Sequence, residues 1–110
     1  MPSVFRGVAS ALIVAALTVR FVSVSPSVKL GAPARVEVAT VPGAICDIEV
    51  RSPGGVVRTA GIRPKKAFDS GRVVWTWRVG KTMRPGTWTL VVDCLLGEQL
   101  GRAEARFTVK

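Results

Sequence analysis

The sequence predicts an all-β protein, a sandwich of short antiparallel strands, and three observations support this prediction. Apolar and polar residues alternate along most of the chain after residue 20, and no segment has the periodicity of an amphipathic helix. Pro, Gly, Asp or Ser interrupts the alternation at intervals of about eight to twelve residues, which is typical of short strands joined by turns. The chain has 110 residues, enough for one domain with one hydrophobic core.

The first twenty residues differ in character from the rest of the chain. Residues 8–19 (VASALIVAALTV) are uncharged and apolar, and they lie between Arg6 and Arg20. This arrangement predicts a signal peptide or an N-terminal membrane anchor over residues 1–20, followed by the domain at residues 21–110. A buried helix or strand of the domain itself is the alternative. We therefore expect an extracytoplasmic protein, either secreted or tethered to the membrane by its N-terminus.

Two positions in this region carry the small residues that a signal peptidase requires. Cleavage after Ala16 would follow Val14-Ala15-Ala16, and cleavage after Ser25 would follow Ser23-Val24-Ser25. The second position is the less favourable one because Pro26 would directly follow the cleaved bond. The sequence leaves both positions open.

Seven strands are predicted after the leader, each with apolar side chains on one face and polar or charged side chains on the other. They span residues 21–25, 34–40, 44–51, 56–62, 72–79, 87–94 and 102–110. Residues 63–66 (RPKK) are predicted to form a loop. About seven strands in a chain of this length is the number expected for an immunoglobulin-like sandwich, and a barrel is the alternative.

The two cysteines are predicted to form a disulfide. Cys46 shares the inward face of its strand with Ile48, and Cys94 shares the inward face with Leu90, whereas Val91 is expected to face outward. The chain has no histidine and no CxxC motif, so zinc binding and thiol redox chemistry are not expected. The bond would span 94 − 46 = 48 positions. A closed loop of that size stabilises a fold by about 4 kcal/mol.

Three segments together resemble bacterial immunoglobulin-like domains: residues 41–46 (VPGAIC), 69–80 (DSGRVVWTWRVG) and 84–94 (RPGTWTLVVDC). The resemblance covers residues 23–110. It implies a non-enzymatic module of secreted or surface-attached bacterial proteins. In antibody domains the disulfide joins the two sheets, whereas Cys46 lies here on the third predicted strand. We therefore expect this disulfide to join adjacent strands of one sheet, unless the first strand is miscounted.

The chain is basic, with a formal charge of +9, and it would remain at 14 − 7 = +7 without the residues before Pro26. Such a charge favours anionic partners. The candidate anion-binding residues lie within one stretch: Arg58, Arg63, Lys65, Lys66 and Arg72. Further basic residues are expected near the opposite end of a strand: Arg78, Lys81 and Arg84.

The interpretation of these charges has an alternative, because Lys and Arg also solvate a surface or protect strand edges. No aromatic residues are interleaved with the basic ones, and no nucleic-acid-binding motif is present, so specific nucleic-acid binding is not expected. The expected partners are an unknown protein or an anionic envelope polymer or lipid. Apart from such lipid binding, contact with a membrane is expected only through the possible N-terminal anchor.

Trp75, Trp77 and Trp88 share the face of inward-pointing residues and are predicted to be core aromatics. A flat platform for stacking sugar rings is the alternative, because aromatic faces pack well against pyranoses. Trp88 follows a Pro-Gly turn and is the best candidate for exposure.

The sequence offers no recognisable catalytic residues. The seven carboxylates are spread singly except for Asp47 and Glu49, which share an outward face and are too few for a metal site. Without histidine there is no Ser-His pair, and neither a nucleophile elbow nor a phosphate-binding glycine loop occurs. We expect no enzyme, no cofactor and no metal. The sequence indicates a structural or interaction module, with electrostatic binding through the basic stretch as the alternative.

Overall fold

The structure, a computed structural model, describes residues 16–52, 55–57, 62–80 and 83–110. Nine β-strands lie in this part of the chain: β1 Arg20–Val24, β2 Ser27–Val28, β3 Pro33–Ala39, β4 Ile45–Ser52, β5 Gly55–Val57, β6 Lys65–Lys66, β7 Arg72–Arg78, β8 Gly86–Leu96 and β9 Gln99–Val109. The all-β prediction is therefore confirmed, and six of the seven predicted strands have clear counterparts. The predicted strand 56–62 overlaps β5, and its residues 58–61 lie outside the described residues. The sequence did not predict β2 and β6, which have two residues each.

The strands form two sheets. The smaller sheet has the order β1-β3-β7 and is antiparallel throughout. The larger sheet has the order β2-β9-β8-β4-β5, and β6 pairs with the same edge of β4 as β5 does. Residues 65–66 were predicted as loop. They form this short strand because β8 occupies one edge of β4 and leaves the other edge open at the start of β4. Only the contact between β2 and β9 is parallel among the described strand pairs.

The alternation of the sequence places one face of each long strand in the space between the sheets. On the smaller sheet, Val36 lies opposite Trp75 and Val38 opposite Val73, and all four side chains are buried. On the larger sheet, inward residues of β4 and β8 are buried to the same extent. Phe107 and Val109 complete the core from the last strand. In the described residues, no helix is long and apolar enough to cross a bilayer.

The chain before β1 also packs against the domain. Leu17 is only 6% exposed, and its backbone nitrogen donates a 3.0 Å hydrogen bond to the carbonyl of Leu100. Thr18 accepts a 2.8 Å hydrogen bond from the hydroxyl of Thr40 through its backbone carbonyl. These residues precede the predicted domain boundary at residue 21, and residues 1–15 of the predicted leader lie outside the described residues.

Gly71 closes the turn that leads into β7 in a position that only glycine fits well. Its φ is 69°, in the left-handed region, and a Cβ atom there would lie 2.4 Å from the backbone oxygen of Thr40. The carbonyl of Gly71 accepts a 2.7 Å hydrogen bond from the backbone nitrogen of Thr40, so the two backbones cannot easily separate.

Replacing Gly71 by alanine is therefore expected to lower the free energy of unfolding by about 2–4 kcal/mol, the sum of left-handed strain and a backbone clash. Urea unfolding of the oxidised protein measures this. Gly31→Ala is the matched control, because Gly31 has a φ of 86° but no atom within 4 Å of the added Cβ. It should cost only about 1 kcal/mol. Equal effects of the two substitutions would show that the close approach to Thr40 is unimportant.

Candidate functional site

A disulfide joins Cys46 of β4 to Cys94 of β8. The two residues are direct cross-strand partners, and their Cα atoms are 4.0 Å apart, the close spacing of a non-hydrogen-bonded antiparallel pair. Both side chains are buried. The bond therefore joins neighbouring strands within one sheet, as the strand count of the sequence indicated, and not the two sheets.

The row that contains the disulfide continues to Gly101 on β9, which lies opposite Cys94. A Cβ atom on Gly101 would lie 2.4 Å from the backbone oxygen of Leu17 and 2.7 Å from a methyl carbon of Val19. The absence of a side chain at this position is what lets the segment before β1 lie over the inner face of the sheet beside the disulfide.

The three tryptophans lie in the core, with exposed fractions of 0% for Trp75, 3% for Trp77 and 4% for Trp88. Trp75 donates a 2.7 Å hydrogen bond from its indole nitrogen to the carbonyl of Arg63, and Trp88 donates one of 2.8 Å to the carbonyl of Arg84. The Trp77 ring packs edge-on against Phe107 with the centroids 6.0 Å apart. A sugar-stacking platform needs exposed ring faces, which these buried rings do not present.

The described residues of the predicted anion-binding stretch that lie on strands belong to two different sheets. Arg58 lies outside the described residues, and Arg63 lies two residues before β6. Lys65 and Lys66 form β6 on the larger sheet, and the Lys65 side chain extends to the open edge of β7. The ammonium of Lys65 donates a 2.7 Å hydrogen bond to the carbonyl of Val74, so it covers part of that edge. Lys66 belongs to the larger sheet, and its ammonium lies 5.8 Å from the ring centroid of Phe68.

Arg72, the last of the predicted residues, instead joins a group of arginines on the outer face of the smaller sheet. Cross-strand pairing places Arg20 and Arg72 on either side of Ala39. Arg35 of β3 and Arg78 of β7 lie on the same outer face, because side chains alternate along each strand. We call this group the arginine face, and its members are Arg20, Arg35, Arg72 and Arg78. All four are exposed. With Glu37 among them, the formal charge of the face is 4 − 1 = +3.

Glu37 organises the centre of the arginine face. Its carboxylate accepts a 2.5 Å hydrogen bond from Arg72 and a 3.1 Å hydrogen bond from Arg35. The Arg72 guanidinium, followed by that of Arg35, lowers the pKa of Glu37 below its usual value. The side chains of Arg72 and Arg35 remain 44% and 52% exposed. The face therefore presents guanidinium groups that are held in place by one carboxylate and still accessible to a ligand.

The outer face of the larger sheet has a different charge. Three successive rows cross β4, β8 and β9: Asp47, Asp93 and Arg102; Glu49, Val91 and Glu104; Arg51, Thr89 and Arg106. Their formal charge is 3 − 4 = −1. Ion pairs partner Asp93 with Arg102 at 2.6 Å and Glu49 with Arg51 at 3.0 Å.

The outward direction predicted for Val91 does not make this residue exposed. It does lie on the outer face, but only 1% of its surface is accessible. It is the middle residue of its row, so the longer side chains of Glu49 and Glu104 flank it on both sides. In the part of the chain that is described, no group of three or more carboxylates or thiols is placed to hold a metal ion.

An exposed apolar strip lies at the end of the same outer face. Ile45, Leu95 and Leu100 are consecutive cross-strand partners on β4, β8 and β9, with exposed fractions of 55%, 46% and 64%. Lys66 continues the row on β6, and Phe68, 68% exposed, lies beside it.

Two sheets with this strand order define an immunoglobulin-like β-sandwich, and solved structures with the same fold support this assignment. No protein-family model matches the sequence, and no curated protein is significantly similar to it.

The sulfur carrier protein SoxY from Chlorobium limicola f thiosulfatophilum is similar to this chain with 24% identity and a TM-score of 0.53, over 84% of this chain and 78% of that one. The M1 domain from titin has 10% identity and a TM-score of 0.51, over 87% and 96% of the two chains. Chitinase ChiW from Paenibacillus sp. str. FPU-7 has 14% identity and a TM-score of 0.55, over 90% of this chain and 9% of that one. At these identities the similarity concerns the fold alone.

Replacing both cysteines by alanine is expected to lower the free energy of unfolding by about 4 kcal/mol, because the unfolded chain regains the freedom of a 48-residue loop. Urea unfolding of the double variant and of the oxidised wild type measures the difference. Wild-type protein reduced with dithiothreitol should unfold at nearly the same urea concentration as the variant. A loss below about 1 kcal/mol would contradict the stabilising role assigned to the bond.

Glu37→Gln is expected to reduce stability at pH 7 and to have progressively less effect as the pH falls below about 4. A carboxyl whose pKa is lowered by folding contributes stability above its unfolded pKa, and that contribution disappears as the pH falls through the folded pKa. Carbon-detected NMR titration should place the Glu37 midpoint below the usual value. Arg72→Gln should return the midpoint toward that value more strongly than Arg35→Gln, and a normal midpoint in the wild type would contradict the assigned ion pairs.

Proposed function

We propose that this chain is a non-enzymatic, extracytoplasmic module of a bacterial secreted or cell-surface protein, with a structural or interaction role. The observation that carries the proposal is the buried disulfide between Cys46 and Cys94. Disulfides of this structural kind form and persist in oxidising compartments, outside the cytoplasm of most bacteria. The apolar segment at residues 8–19, preceded by Arg6, has the layout of a signal peptide and therefore also supports export from the cytoplasm.

The packing of the domain supports a non-enzymatic role. Trp75, Trp88 and Leu90 are among the side chains that fill the space between the sheets, so contacts with other molecules fall to the outer faces. The chitinase similar to this chain is described as a cell-surface-expressed multi-modular enzyme machinery, and the matched part is 9% of it. That protein is a precedent for this fold as one module of a bacterial surface protein.

The location can be tested by producing the full chain in a bacterial host, trapping free thiols with N-ethylmaleimide before lysis, and analysing each cell fraction by mass spectrometry. We expect the chain outside the cytoplasm with Cys46 linked to Cys94 and no alkylated thiol. A version without residues 2–16 is the control, which should stay in the cytoplasm with both thiols alkylated. Exported protein with two free thiols, or full-length chain found only in the cytoplasm, would contradict the proposal.

A second candidate function is electrostatic binding of an anionic envelope polymer or lipid. The arginine face favours it, because four exposed guanidinium groups on a flat sheet can contact several anionic groups at once. This surface replaces the basic stretch at residues 58–72 as the candidate site, because Lys65 and Lys66 both belong to the larger sheet and the Lys65 ammonium covers an edge of β7. Partners of this kind would bind more weakly at high salt.

Two variants of equal charge test the second candidate. One carries Arg20→Gln, Arg35→Gln and Arg78→Gln, with Arg72 kept so that Glu37 retains a partner. The control carries Arg51→Gln, Arg102→Gln and Arg106→Gln on the larger sheet. Dextran sulfate serves as the polymer and vesicles containing phosphatidylglycerol as the lipid, each at low and high salt.

The arginine-face variant is expected to lose about tenfold or more in affinity for the probe that binds, and the control substantially less. Binding to dextran sulfate alone would identify a polymer ligand, and binding to vesicles alone a lipid ligand. Equal losses in the two variants would show a response to net charge and exclude the face as a site. No binding of the wild type at low salt would exclude the second function altogether.

A further inference from the structure

Among the described residues, which begin at Ala16, Leu17 is the first that belongs to the hydrophobic core. Ala16 is exposed, whereas Leu17 is 6% exposed and belongs to the hydrophobic core. Val19, two residues later, packs against the same core. Small residues at Val14 and Ala16 precede Leu17 at the spacing that a signal peptidase recognises.

Residues 17–19 are held by contacts that leave little freedom. The backbone nitrogen of Leu17 donates to the carbonyl of Leu100, and the carbonyl of Thr18 accepts from the hydroxyl of Thr40. Leu17 and Val19 lie where a side chain on Gly101 would otherwise stand. The segment is thus an integral part of the sandwich.

The rival cleavage position, after Ser25, would remove much more of the fold. It would take away all of β1, whose residues Phe21 and Val24 pair with Val38 and Val36 of β3 and pack against the core. It would also remove Ser25 itself, whose hydroxyl accepts a 3.0 Å hydrogen bond from the backbone nitrogen of Arg35. The smaller sheet would be left with two strands and a new open edge along β3.

We propose that a signal peptidase hydrolyses the bond between Ala16 and Leu17, so that the mature protein begins at Leu17. One water is consumed: the Ala16 carbonyl carbon gains the hydroxyl and becomes a carboxylate, and the Leu17 nitrogen becomes a free α-amino group. That group keeps its hydrogen bond to the Leu100 carbonyl, now with a charged donor. The inference rests on the proposed export of the chain, and it places the leader at residues 1–16 and Arg20 in the mature domain.

N-terminal sequencing and intact-mass measurement of the exported protein test the proposal. The expected product has 110 − 16 = 94 residues and begins Leu-Thr-Val-Arg-Phe. Ala16→Arg, which puts a large charged residue before the bond, should leave most of the chain uncut and in the membrane fraction. Ser25→Arg makes the same change at the rival position and should give the same N-terminus as the wild type.

A wild-type product that begins at Pro26 would overturn the inference. Cleavage that is blocked by Ser25→Arg but not by Ala16→Arg would overturn it as well. Uncut wild-type chain outside the cytoplasm would also overturn it, while leaving the proposed location intact. Uncut chain with reduced thiols inside the cytoplasm would instead contradict the proposed function. As an independent readout, oxidised protein beginning at Leu17 should unfold at a higher urea concentration than protein beginning at Pro26. Equal stability would remove the structural reason for the choice of bond.

Discussion

The disulfide between Cys46 and Cys94 fixes the pairing of β4 with β8, and the arrangement of both faces of the larger sheet depends on that pairing. A shift of one residue would exchange the inward and outward side chains of a strand. With the register held, Ile48 lies opposite Val92 on the inner face and Asp47 opposite Asp93 on the outer face. The same row leads to Gly101, where the first segment of the domain enters the sandwich.

The two outer faces of the sandwich carry different sets of charged side chains, although these residues are scattered along the sequence. The smaller sheet presents the arginine face with a formal charge of +3, and the rows of β4, β8 and β9 carry −1. Alternation sends each arginine outward, but the assignment of β1, β3 and β7 to one sheet is what brings these arginines together.

The two edges of the smaller sheet are partly covered or irregular. The Lys65 ammonium donates to the Val74 carbonyl on the open edge of β7, and the Arg63 carbonyl accepts from the Trp75 indole below it. The opposite edge of the smaller sheet, β1, is irregular between Phe21 and Ser23, which interrupts its hydrogen-bonding pattern. Both features oppose edge-to-edge association with another strand.

The sequence by itself determined the longer strands, the inward position of both cysteines and the three buried tryptophans, because alternation along a strand is a local property. It did not predict the two-residue strands β2 and β6. Tertiary structure decided which strands share a sheet, and therefore which arginines join Arg72 and why Lys66 does not. It also decided that Val91 is covered on an outer face and that Leu17 belongs to the core. These outcomes depend on pairings between residues far apart in the chain, such as Leu17 with Leu100, and no local pattern encodes them.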